Sequence, residues 1–199
     1  MNSRDEKQNK TTFLKMPRAD YRFINWNNMP SGTYISDSLD YKEINWVKTR
    51  DLSYGINHCA AAAATNITLY YASLGYSNLI KDNSTYHTFV EIHKRIKNGP
   101  VISIASKIRQ YFNENGYELH YSKLGSFDNL KKAIGKKRPC ALILSSALIN
   151  WHWILAVGWR VYDSGEKYIQ IVDGWNGNAT RFYKIDSNLP FVLSTQYWT

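Results

Sequence analysis

The sequence predicts an α+β protein, with a helical first half packed on an antiparallel sheet built from the second. Three observations carry that expectation. Apolar residues recur at three- and four-residue steps from about residue 59 onward. After Pro139 they give way to short apolar runs separated by Asn, Gly and Ser clusters. The chain has 199 residues, of which 44% are hydrophobic and 15% aromatic, enough to bury one core without disulfide staples.

Taken in order, residues 1–19 are polar and charged and are expected to form a flexible segment ahead of a single domain over 20–199. From about 59 to 74, Ala63, Ile67, Tyr70, Tyr71 and Leu74 keep helical spacing until Gly75, which predicts a central helix with Cys59 in its first turn. A second helix is predicted over about 85–97, ended by Asn98, Gly99 and Pro100, and a third over about 101–115. "YELHYSK" reads as a short strand and "SFDNLKKAIGKK" as a helix capped by Ser126 and stopped by Gly135. Strands follow at "CALILSS", "HWILAVGWRVY", "KYIQIVDGW" and "ATRFYKID".

Composition narrows the function classes. Twenty-five Lys and Arg against 16 Asp and Glu leave a net charge of +9, which favours acidic partners in general. The charge is scattered, and its densest cluster, "KKAIGKKRP" at 131–139, reads as a solvated turn between a helix and a strand, so no nucleic-acid partner is expected. No apolar run reaches membrane-spanning length. Residues 1–19 contain no apolar signal core, so an extracellular location requires an upstream signal already removed, and the cytoplasm is the alternative. Three Asn-X-Ser/Thr triplets, at Asn66, Asn83 and Asn178, read as chance in an Asn-rich chain, since Asn66 lies in the central helix. No cofactor and no metal site are expected.

The chain has two cysteines, too few for a disulfide framework. Cys140 falls in a buried strand, where a free cysteine behaves as a small hydrophobe. Cys59 is placed differently. At a helix start, unpaired backbone N–H groups and the macrodipole favour the thiolate and offer donors to an oxyanion. The five alanines behind it let neighbouring backbone come close.

A thiolate nucleophile needs a base and an orienting group. Of five histidines, His87, His93 and His120 suit solvated or core-satisfied roles, and His58, next to Cys59, diverges from it by about 100° on a helix. His152 opens a strongly apolar strand where a polar ring has no local reason to sit. Asp173 ends the following strand, so in an antiparallel pair it falls beside His152 and is expected to fix the imidazole tautomer. Trp175 and Trp151 flank this site in sequence, and Trp175 is taken as a supporting residue.

A Cys at a helix start, a His at a strand start and an Asp before a Trp at the end of the next strand resemble the papain-like cysteine peptidases over residues 46–186. Within that superfamily, "NLKKAIGKKRPCALILSS" followed by "HWILAVGW" is similar to the bacteriocin-leader (double-glycine) peptidase type. "HCAAAAA" and "DGWNGNATRFYKID" carry a likeness to streptopain. The resemblance implies a papain-like fold, a bacterial chain, a peptide or protein substrate and hydrolysis through Cys59, His152 and Asp173. It also implies a Gln six residues before the cysteine as oxyanion donor, where this chain has Ser53. Ser53 and Asn57 are therefore the expected replacements. A papain-fold acyltransferase or deamidase, or an inactive peptide-binding relative, fits the same residues.

Overall fold

The computed structural model describes residues 21–41, 44–52, 57–145, 151–185 and 193–199. The expected N-terminal segment 1–19 lies outside them. Short polar and aromatic stretches near the start form two strands, β1 (Ile24–Asn25) and β2 (Tyr34–Ser38). The α-helices that follow among the described residues are α1 (Cys59–Ser73), α2 (Thr85–Ile96), α3 (Ile104–Glu114) and α4 (Phe127–Gly135). The remaining strands are β3 (His120–Lys123), β4 (Cys140–Ser145), β5 (Trp151–Tyr162), β6 (Lys167–Val172), β7 (Arg181–Ile185) and β8 (Leu193–Trp198).

Among the described residues all strand pairings are antiparallel, in the order β1-β7-β6-β5-β4-β8-β3, with β2 paired to the second half of β5. The class is α+β, as expected from the sequence. The segregation into a helical first half and a stranded second half is less complete than the periodicity implies. β1 and β2 come from the first 40 residues and join the sheet, and β8, where no strand was expected, lies between β4 and β3. These strands carry little alternation, because β2 is an edge and β1 is two residues long.

Helix α1 is buried on all sides from Cys59 to Tyr71, so it shows almost no amphipathic pattern. Alanine at 60–64 lets α1 sit directly against β5 and beside α2 and α3. Its buried polar residues are satisfied locally. The Thr65 and Thr68 hydroxyls donate to the carbonyls of Ala61 and Ala64 at 2.8 and 3.1 Å. The Asn66 amide accepts from the Val47 N–H at 2.9 Å and donates to the Val47 carbonyl at 3.2 Å. That buried pairing leaves no room for a glycan on Asn66.

Helix α2 starts at Ser84, whose hydroxyl accepts from the His87 N–H, and α4 starts at Ser126, whose hydroxyl accepts from the Asn129 N–H. In "AVGW", Gly158 is required by close approach: a Cβ there would meet Gln170 Oε1 at 2.9 Å and the Asp37 carbonyl at 3.0 Å. Its absence lets β2 and Gln170 close on β5 beside the irregularity at Ala156/Gly158. The basic run after α4 is more engaged than a solvated turn. Lys137 Nζ donates to the Ser38 carbonyl at 2.6 Å and pairs with Asp37, and Arg138 stacks on Trp198.

Candidate active site

Cys59 is the first residue of α1 and is only 3% exposed. β6 pairs with β5 only from Leu155 onward, so the start of β5 is not paired with β6. The Trp153 N–H, in the peptide that joins it to His152, faces the Cys59 sulfur together with the N–H groups of Cys59 and Ala60. The main chain just after His152 thus reaches the start of α1, where Cys59 sits.

Burial works against the lowered thiol pKa expected of a helix start. Burial pushes the Cys59 thiol above its ordinary value, and the three N–H groups offset this only in part. Desolvation of the thiolate outweighs the helix terminus. The Cys59 S–H donates to Asn57 Oδ1 at 3.2 Å, which fits a neutral thiol at rest. Asn57, at φ 61°, turns its side chain back to the sulfur, while its carbonyl accepts from the Gly99 N–H at 2.8 Å. Ser53, the other expected oxyanion residue, lies outside the described residues.

His152, 4% exposed, places Nε2 2.7 Å from the main-chain carbonyl of Asp173. A carbonyl only accepts, so Nε2 carries the hydrogen and the lone pair of the neutral ring resides on Nδ1. Asp173 therefore meets the ring through its backbone and not, as the sequence suggested, through its carboxylate. That carboxylate, 1% exposed, has other partners. Oδ1 accepts from the N–H groups of Trp175 and Asn176 at 2.8 and 2.9 Å, and Oδ2 accepts from Asn176 Nδ2 at 3.0 Å and Arg181 Nη1 at 2.7 Å. It holds the turn in which Gly174 adopts φ 72°.

The turn delivers Trp175, whose ring stacks on His152 with centroids 4.2 Å apart and planes 12° apart. Tyr21 lies against both rings, at 5.4 Å from His152 and 6.0 Å from Trp175, and Phe23 extends the cluster at 5.7 Å from Trp175. Sequence reasoning missed Tyr21, Phe23 and Arg181. Arg181 carried a readable signal, a cation on the strand after an acidic turn, but nothing in the sequence places residues 21–23 against residue 152.

The other histidines lie elsewhere. His87 Nδ1 faces Asp82 at 3.3 Å on the surface, and His120 stacks on Trp198. His93 is buried and its Nε2 shares a hydrogen bond with Asn98 Oδ1 at 2.8 Å. His58 is buried at the N-cap of α1 and packs edge-on against His93 at 4.7 Å. Cys140 is fully buried in β4, and burial pushes its thiol far up. Among the described residues, no group of three or more His, Cys, Asp or Glu side chains is placed to hold a metal ion, and no helix is long and apolar enough to cross a membrane.

No protein-family model matches the sequence, and no curated protein does. Among solved structures, the chain is similar to the bromelain protease from Ananas comosus in complex with the E64 inhibitor. The identity is 14% and the TM-score 0.42, and the match covers 90% of this chain and 98% of that one. A likeness at that level assigns no role to any residue.

Proposed function

We propose that the chain is a papain-like cysteine peptidase acting on peptide or protein substrates through Cys59 and His152. The supporting observation is the seat of the Cys59 sulfur, at a helix start and against the peptide that follows His152. With burial working against the thiolate, proton transfer to His152 Nδ1 is assigned to the same step as attack. Sγ bonds to the substrate carbonyl carbon as its proton passes to Nδ1. The imidazolium returns that proton to the departing amine, and water then hydrolyses the thioester. The N–H groups of Cys59 and Ala60, with the Asn57 amide turned over, are the proposed donors to the oxyanion. Asp173 acts as a positioning residue: its carbonyl sets the tautomer and its carboxylate holds the turn that carries Trp175. The finer assignment, to the bacteriocin-leader type, rests on the sequence patterns alone.

One observation favours a second reading. Cys59, His152 and Asp173 are each under 5% exposed, which suits a peptide-binding relative whose thiol is idle. A thiol-reactive peptidyl epoxide followed by mass mapping separates the two. Labelling of Cys59 that disappears in His152→Ala is expected of the peptidase. Equal labelling in the variant, or labelling at Cys140, would overturn it. The mass of the trapped product distinguishes hydrolysis from acyl transfer to an amine and from deamidation.

A further inference from the structure

Arg160 lies eight residues beyond His152 on β5, roughly 25 Å along the strand at its usual rise. Its guanidinium is enclosed by aromatic rings: Tyr34 at 3.9 Å, Trp26 at 4.6 Å, Phe182 at 4.9 Å and Tyr162 at 5.9 Å from the centroids. The residue is 6% exposed. A buried cation ordinarily has a carboxylate partner. Among the described residues none pairs with Arg160. Nη1 donates to the Tyr162 hydroxyl at 3.1 Å, and Nε has no partner.

The same side chain lines a cavity of about 340 Å³ shared with Trp26, Tyr34, Ser36, Tyr41 and Phe182. Ser36 is the register partner of Arg160, which sets its side chain on the same face of the sheet. The Tyr41 hydroxyl accepts from Gln170 Nε2 at 2.6 Å and keeps its own hydrogen for another acceptor. Asp37, the carboxylate at the rim, accepts through Oδ1 from the Ser38 N–H and from Lys137. The Arg160 Nε–H, unpartnered among the described residues, and the Tyr41 O–H thus stand beside the cavity as donors.

We propose that this cavity is a binding site for a carboxylate carried on a small apolar body. With Nη1 engaged and the rings stacked on its faces, the guanidinium offers its Nε edge, the side that takes a carboxylate in two parallel hydrogen bonds. Trp26 and Tyr34, 48% and 40% exposed, form the movable outer wall that admits the ligand and covers its apolar part. A cavity of this size accommodates a small organic acid or the last residue of a peptide. The site is independent of Cys59.

The test is ¹H–¹⁵N NMR titration of the full chain, read at the Trp26 indole and Arg160 Nε–H signals. The probes are 3-phenylpropanoate, its amide, and acetyl-Gly-Phe with a free or an amidated C-terminus. Saturable shifts with both acids are expected, with the amides weaker by about tenfold or more. A preference for the free-terminus peptide assigns a peptide carboxylate, and the reverse order assigns a free acid. Arg160→Gln should abolish the shifts while melting cooperatively. In Ser36→Glu, an internal carboxylate opposite Arg160 should block the probes and raise the melting temperature, and Cys59→Ala should bind as the parent does. Equal shifts with acid and amide, undiminished binding in Ser36→Glu, or no shift with any probe would overturn the proposal.

Discussion

The hydrogen on His152 Nε2 is received by the main-chain carbonyl of Asp173, at 2.7 Å, while the carboxylate of the same residue binds its own turn and Arg181. One residue therefore separates two duties that a side-chain orienting group combines. Removing the side chain leaves the carbonyl in place but unties the turn that aims it.

Asp173→Ala should accordingly cost about 2–4 kcal/mol of stability, because it leaves Arg181 and two backbone N–H groups without their acceptor. Asp173→Asn keeps most of the shape and should cost less. Activity per folded molecule should fall less than stability does in both. Denaturant melts set beside rates at low temperature make the comparison, and a large rate loss in a fully stable Asp173→Asn would contradict it.

Proton transfer during attack has its own signature. With its pKa raised above the ordinary value of 9.0, the free-enzyme thiol should react with iodoacetamide more slowly than an exposed thiol at pH 7. The rate should keep climbing as pH rises beyond the usual range for cysteine. His152→Ala should leave this resting rate nearly unchanged while abolishing turnover, and acylation should be slower in D₂O than in H₂O. A pH-independent alkylation rate between pH 5 and 8 would instead indicate a preformed ion pair.

Asn57 can be tested for two roles at once. Asn57→Ala removes an oxyanion donor and should slow acylation by ~10²-fold or more. Asn57→Asp keeps an acceptor for the S–H but supplies no donor, so it should be equally slow if the amide N–H is what matters. If Ser53 occupies the place of a missing Gln, Ser53→Gln should raise acylation without changing alkylation by small reagents. Burst kinetics with an ester substrate measure acylation directly.

At high pH the tyrosines should report the core. Burial raises Tyr70 and Tyr111 to about 12, and Tyr71 and Tyr197 rise further for the same reason. Because the folded values exceed the unfolded value near 10, the stability held by these neutral phenols is complete below pH 10 and is lost as pH climbs toward 12. Absorbance at 295 nm should show these residues ionising together with unfolding. Smooth titration of all the tyrosines before any loss of structure would disprove the assignment.

Tyr21 packs against both rings of the His152–Trp175 stack, so Tyr21→Ala should speed alkylation of Cys59 beyond what lost stability explains. Phe182→Ala, in the separate cluster around Tyr162 and Tyr168, is the control of comparable destabilisation. Similar acceleration in both would assign the effect to global opening.

How far the sequence speaks for this molecule depends on the range of the interaction. The helices were legible because the Ser126 cap, the apolar stripes of α2, α3 and α4 and the stop at Gly75 after α1 act within one or two turns. Four of the five later strands were legible for the same reason. β8 was not, since its identity as an interior strand comes from pairing with β4 and β3. At the site, residue types and chain order pointed to Cys59, His152 and Asp173. The protonation of Cys59 did not follow, because it depends on how much protein covers the sulfur. The use of the Asp173 backbone did not follow either, since a main-chain carbonyl leaves no mark on residue identity.

The all-alanine stretch behind Cys59 has a consequence for how the chain reaches its native state. A helix with no solvated face gains little from forming alone, and one of its main supports, β5, is synthesised long after it. During translation the cysteine is therefore a solvent-accessible thiol on an unprotected hydrophobic segment, open to oxidants and to chaperones, until residues 151–162 have emerged to close over it.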